Sequence, residues 1–191
     1  MATKSANFFL IIKKSIGRME NDPFWLGVGH QRALAILPMI TGTISGMSSL
    51  FVIRFITGER EHFKKPYYRL IFGLSIMDVL FSFNAALSTL VLPSDTPDVQ
   101  YAHGTTFTCE VSGFIWQVGQ GTVFYSACLS FFYLLTIRFG IKEETIERYI
   151  EPWLHLVSVG WPLALAIVGL SKNYFNALGG GLGWCYFVSD F

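Results

Sequence analysis

LIFGLSIMDVLFSFNAALSTLVL, residues Leu70–Leu92, contains one charged side chain, Asp78, and no proline. A helix rises 1.5 Å per residue, so a run of this length covers the roughly 30 Å of a bilayer's hydrocarbon core. Three other stretches read the same way. The four candidate spans cover about 33–56, 70–92, 111–137 and 152–171, and His155 is the only titratable group in the fourth after Pro152. A soluble core could account for one such run. Four in 191 residues leave almost no polar chain to cover them.

Composition agrees. Hydrophobic residues make up 52% of the chain and charged residues 14%, against roughly a quarter charged in soluble domains. Mean hydropathy is +0.46. Most of the charges are gathered into segment 1–32 and the short connections 57–69, 93–110 and 138–151. Such runs far exceed the 9–11 residues of a barrel strand and lack its alternation, so the expected fold class is an all-α integral membrane bundle with antiparallel neighbours. Gly42 and Gly46 in the first span, and Ser126 and Ser130 in the third, have the small-xxx-small spacing of helix contacts.

Segment 1–32 is read apart from the membrane domain 33–191. Its apolar run Phe8–Ile12 is too short for a signal peptide, so an interfacial anchor is expected, with Lys13 and Lys14 at the surface. Orientation follows the basic residues. Arg54, Arg60, Lys64, Lys65 and Arg69 cluster after span one, and Arg138, Lys142 and Arg148 after span three. The connection after span two has none, and the tail 172–191 has only Lys172. The basic side is therefore expected inside and the N-terminus outside, in the plasma membrane; this puts Lys4, Lys13, Lys14, Arg18 and Arg32 outside, three of them far from the first span, where they count for less.

On that topology Cys109 and Cys185 both face the oxidising side, while Cys128 lies mid-membrane. A Cys109–Cys185 disulfide is geometrically natural, and two free thiols are the alternative. Cys128 reads as a small packing residue.

With these residues in place the chain resembles the seven-helix G-protein-coupled receptors, nearest the family 2 (secretin-like) and cyclic-AMP-receptor-like branch, over roughly residues 35–188. Leu74-Ser75-Ile76-Met77-Asp78 is similar to the LSxxD pattern of receptor helix two. Cys109 and Cys185 resemble the cysteines joining helix three to the second outer loop. Tyr133-Leu134-Leu135-Thr136-Ile137 is similar to the YLxT stretch ending helix three, and Gly160-Trp161-Pro162 resembles the middle of helix four. The resemblance implies seven spans, of which this sequence, ending at Phe191, supplies the first four, so a fragment is expected. Thr136-Ile137-Arg138-Phe139 stands where rhodopsin-like receptors have Asp/Glu-Arg-Tyr, which argues against an ionic lock. Trp184 precedes Cys185 where the family usually has Trp after it. Residues 1–32 hold no cysteine, so a cysteine-rich hormone-binding domain is missing and a peptide hormone is disfavoured.

Asp78 is the only carboxylate inside a span, and an ionised carboxylate at the midplane costs about 2.5–3.5 kcal/mol on insertion scales. It should face the bundle, with Ser75, Ser82, Asn84, Ser45, Ser48, Gln117 or Gln120 as neighbours. It reads equally as structural glue or, as the resemblance implies, as a polar switch answering to protonation or sodium. Trp116, Gln117 and Gln120 line a ligand pocket on the resemblance, or act as interhelical hydrogen-bonders and interfacial aromatics on their chemistry alone. Arg54, Arg60, Lys64, Lys65 and Arg138 meet anionic lipid headgroups by default and a heterotrimeric G protein on the resemblance. The implied function is cell-surface signal reception with an extracellular ligand. A four-helix tetraspanin-like scaffold and a partial transporter or channel subunit are the other classes. One aspartate makes a poor transport path.

No enzyme signature appears. His30, His62, His103 and His155 lie in separate regions, and the Gly-rich 179–183 lacks the lysine and helix of a phosphate loop, so it reads as a flexible loop. No cofactor or metal is expected. A net charge of +1 argues against nucleic-acid partners.

Overall fold

The computed structural model describes residues 28–96, 99, 101–177 and 183–187. The anchor expected in segment 1–32 lies outside the described residues but for its last five positions. Among those described, helix dominates. Four helical stretches are long and apolar enough to cross a membrane: Arg32–Gly58, Pro66–Val91, Thr106–Arg138 and Glu151–Ser171.

Helix α1 runs Val28–Gly58 and α2 runs Pro66–Leu87, with Pro66 at its N-terminus where a missing N–H costs nothing. A 3₁₀ turn, Ser88–Val91, completes the second stretch. The third is divided. Helix α3, Thr106–Gly119, opens on a capping box in which Thr105 and Thr108 exchange hydrogen bonds. Helix α4, Gly121–Tyr133, follows after Gln120 and ends in a π-turn, Leu134–Arg138. A short helix α5, Glu143–Tyr149, occupies the next connection and leads into α6, Glu151–Ser171. The sequence reading took 138–151 as a plain loop; Ile146, completely buried, holds this helix against the bundle.

The long elements pack in chain order. Helix α1 lies on α2, α2 on α3 and α4, and these in turn on α6, while α2 and α6 scarcely touch. The α1–α2 seam is close because Gly42 has no side chain: a Cβ there would sit 2.7 Å from the Ser82 carbonyl oxygen. Gly46 is looser, its nearest neighbour 3.4 Å away. Ser126 and Ser130 make no interhelical contact of this kind. Both are exposed and donate to carbonyls one turn back, those of Thr122 and Ser126. Thr41, Thr43, Ser48, Thr57 and Thr136 do the same. A hydroxyl bonded to its own helix can face an apolar medium without an unmet donor.

Apart from these hydroxyls, the outward faces are predominantly apolar. Met47 is 68% exposed and Phe51 72%, and only 6% of the most apolar window of the first stretch is buried. A contiguous face of that kind is foreign to soluble monomers and suits a hydrocarbon surround.

After α6 the chain turns back as a hairpin, β1 Phe175–Ala177 paired antiparallel with β2 Cys185–Phe187. Phe175 is driven between α3 and α6, filling space left by Gly113 and Gly169. The hairpin lies in the tail expected to be an outer loop; the glycine-rich positions 179–182 lie outside the described residues.

Candidate functional site

Three groups of polar side chains break the apolar pattern. The first is at Asp78, half-buried on α2. Its Oδ2 accepts from the Ser45 hydroxyl at 3.1 Å and from that of Ser49. Ser45 was among the neighbours read from sequence; Ser49 takes the place given to Ser48, whose hydroxyl turns to the Ile44 carbonyl instead. Residues 45 and 49 are one turn apart and reach the same carboxylate oxygen. Ser75, Ser82 and Asn84 are buried on the same helix, but the Asn84 side chain pairs with Ser112 at 2.9 Å rather than with Asp78. Gln117 and Gln120 make no bond to Asp78 among the described residues.

The second group lies at the Cys109 end. Cys109 and Cys185 form a disulfide, Cα–Cα 5.4 Å, which ties the first turn of α3 to the hairpin. Leu92, Val91, Val99, Ala102 and Ala177 pack around it. One residue before Cys185, Trp184 lies nearly parallel to Trp116, ring centroids 5.8 Å apart, and Trp116 meets Phe81 at 4.4 Å. Gly183 takes φ +73° to set Trp184 there, a conformation glycine adopts without strain. Gln117 is buried, and its Oε1 has no hydrogen-bond partner among the described residues. Gln120 sits at the break between α3 and α4, where its N–H is shared between the Trp116 and Gln117 carbonyls at 3.2 and 3.3 Å. The three residues read as a pocket thus cluster around one break, with Trp184 over Trp116.

The third group, at the opposite end, was not read as a site. Arg69, at the start of α2, makes a bidentate pair with Glu151, at the start of α6, with both N–O distances 2.6 Å. It also donates to the Phe63 carbonyl at 2.6 Å and meets Glu147 of α5 at 3.0 Å. Glu151 is 95% buried, and its Oε1, which takes Arg69 Nε, is also met by His155 Nε2 at 3.4 Å. His155 Nδ1 in turn pairs with the Tyr125 hydroxyl at 2.9 Å. A planar guanidinium presents two parallel N–H groups to a carboxylate, which is why arginine suits this position. The cluster joins both basic connections to the second, third and fourth long stretches. The available sequence signals were His155, the lone titratable group of its span, and a glutamate at the span's edge.

Of the basic residues singled out, Arg54, Arg60, Lys64, Lys65 and Arg138 are all exposed, and Lys64 pairs with Glu61 at 2.7 Å. Nothing in their arrangement groups them into a single pocket. They share the Arg69 end of the bundle. In comparisons with known proteins, no family model matches this chain and no curated sequence matches it.

Proposed function

We propose that this chain is a multi-pass plasma-membrane protein of receptor type, with its N-terminus and disulfide outside and its basic connections inside. Its task is to pass an outer binding event to an inner surface that engages a heterotrimeric G protein. The observation that carries this reading is the disulfide between the first turn of α3 and the hairpin that follows α6. It holds a hairpin bearing Trp184 against Trp116, above the break at Gln120, so a ligand displacing Trp184 would press on the middle of the third span. Asp78, bonded across the α1–α2 seam, is the two-state element of this reading: proton or cation occupancy biases how the helices meet. The exposed Arg54, Arg60, Lys64, Lys65 and Arg138 form the inner surface, against G protein or anionic lipid.

The test has two arms. Lys64→Cys in membranes should react with an impermeant maleimide only after permeabilisation; reaction in intact cells overturns the orientation. The protein, reconstituted with purified heterotrimeric G protein, should raise binding of a nonhydrolysable GTP analogue, and Arg138→Glu should lower it. No exchange by a correctly oriented protein with an intact disulfide would favour a scaffold, in which the disulfide merely braces the outer end.

A further inference from the structure

A cleft of about 370 Å³ runs between α2 and α6, floored by Tyr125 of α4. Its walls are Phe72, Ile76, Met77 and Val159, and one end is closed by Arg69 and His155. This lies within the roughly 300–1,000 Å³ of ligand sites. It stands on the outside of the bundle, since Ile76 at its rim is 37% exposed. We propose that this cleft seats one phospholipid of the leaflet at the Arg69 end of the bundle, specifically a zwitterionic lipid with a primary-amine headgroup. The inference rests on the membrane-spanning reading and not on receptor activity.

The walls call for a hydrocarbon chain, because a groove of this polarity does not hold water. The closed end decides the headgroup. Arg69 contacts two carboxylates, Glu151 and Glu147, so the three groups sum to one negative charge before His155 is counted. A guanidinium has five N–H groups. Four point at Glu151, Glu147 and the Phe63 carbonyl, which leaves one on Nη1 for a phosphate oxygen. An anionic headgroup would add a second negative charge to a mouth that already carries one. Glu147, its side chain 48% exposed, meets Arg69 through Oε1, which leaves its second carboxylate oxygen for a cation. An ammonium donates hydrogen bonds to it; the quaternary ammonium of choline has none to donate. A phosphoethanolamine group supplies both halves, an acceptor for Arg69 and a donor for Glu147. A sterol has neither charge.

The test is native mass spectrometry of the delipidated protein in detergent, titrated with dioleoyl phosphatidylethanolamine, phosphatidylcholine and phosphatidylglycerol in equal amounts, and separately with cholesterol. One retained phosphatidylethanolamine is expected, in preference to the other three. Glu147→Gln, at an exposed position, should lower that preference about two- to fivefold, the ratio one exposed ion pair supplies. Ile76→Trp should fill the cleft and abolish the retained lipid, folding being checked by the intact disulfide and the protected Cys128. Equal retention of phosphatidylcholine or phosphatidylglycerol, a preference for cholesterol, an unchanged Glu147→Gln, or retention by Ile76→Trp would each overturn the assignment. A protein monodisperse in buffer without detergent would overturn the membrane reading beneath it, a result distinct from all of these.

Discussion

Replacing Gly42 by alanine sets a methyl group 2.7 Å from the Ser82 carbonyl oxygen, 2.8 Å from the Ala86 nitrogen and 3.1 Å from the Ala85 carbonyl carbon. All three are backbone atoms of α2, so no side chain can swing aside. Relieving the closest contact to an ordinary ~3.5 Å separation requires the helices to part locally by roughly 0.8 Å. A gap of that size forfeits about a quarter to a half of each dispersion contact along the seam, and in lipid no hydrophobic term between helices compensates. Overpacking of this kind costs about 1–3 kcal/mol, against which the better helix propensity of alanine returns up to about 1 kcal/mol. Because all three contacts are backbone, the cost falls in the upper part of the overpacking range, about 2–3 kcal/mol, and the net expectation for Gly42→Ala is a loss of about 1–2 kcal/mol. Gly46→Ala is the internal control. Its Cβ would meet only the Ser82 side chain, at 3.4 Å, so the expectation there is no loss or a gain of a few tenths of a kcal/mol. The protein carries its own reporter: Cys128 is buried and free, and the other two cysteines are disulfide-bonded. A thiol-reactive dye therefore lights up on unfolding in detergent. Gly42→Ala should lower the midpoint by about 2–8 °C, with Gly46→Ala unchanged or raised. If Gly46→Ala proves the more damaging, or Gly42→Ala has no effect, the packing of α1 on α2 described above is wrong.

The double variant Cys109→Ser, Cys185→Ser, which leaves Cys128 as the one thiol, should abolish the mobility difference between reduced and nonreduced protein and destabilise it by up to about 4–5 kcal/mol, the chain-entropy value for a loop of 76 residues; an unchanged dye midpoint would refute this. Arg69→Ala leaves the buried Glu151 carboxylate facing only His155 and should cost toward the lower end of about 3–5 kcal/mol, because Arg69 is 23% exposed. Pairing it with Glu151→Gln in a double-mutant cycle should recover part of that loss, and strict additivity would mean the two do not interact. Asp78→Asn keeps an acceptor for Ser45 and Ser49 and should cost less than about 1 kcal/mol, whereas Asp78→Leu removes it and should cost about 1–3 kcal/mol by the same dye assay. Equal losses for the two would show that the serine hydroxyls do not depend on that oxygen.

Sequence alone determined the four long apolar helices and their order, because an apolar run free of charge has few ways to satisfy its backbone, and helix is the shortest. It also pointed to the cysteine pair, since two of the three cysteines were expected on the same side, but two free thiols stayed open until the hairpin brought their Cα atoms to 5.4 Å. The Gly42 contact was legible as a spacing, and the Asp78–Ser45 bond as a carboxylate in want of donors. What sequence could not supply was helical phase and tilt. Phase chose Ser49 over Ser48, and turned Ser126 and Ser130 outward where the spacing had put them at a seam. Packing through α3 and α4 left α2 and α6 almost out of contact, opening the cleft, yet brought Arg69 to Glu151 across 82 positions. The physical reason is one of range. Whether a residue leaves water is a local property, summed over its neighbours in the chain. Which charge it meets there depends on how rigid helices cross, and that is decided by contacts between residues remote in sequence.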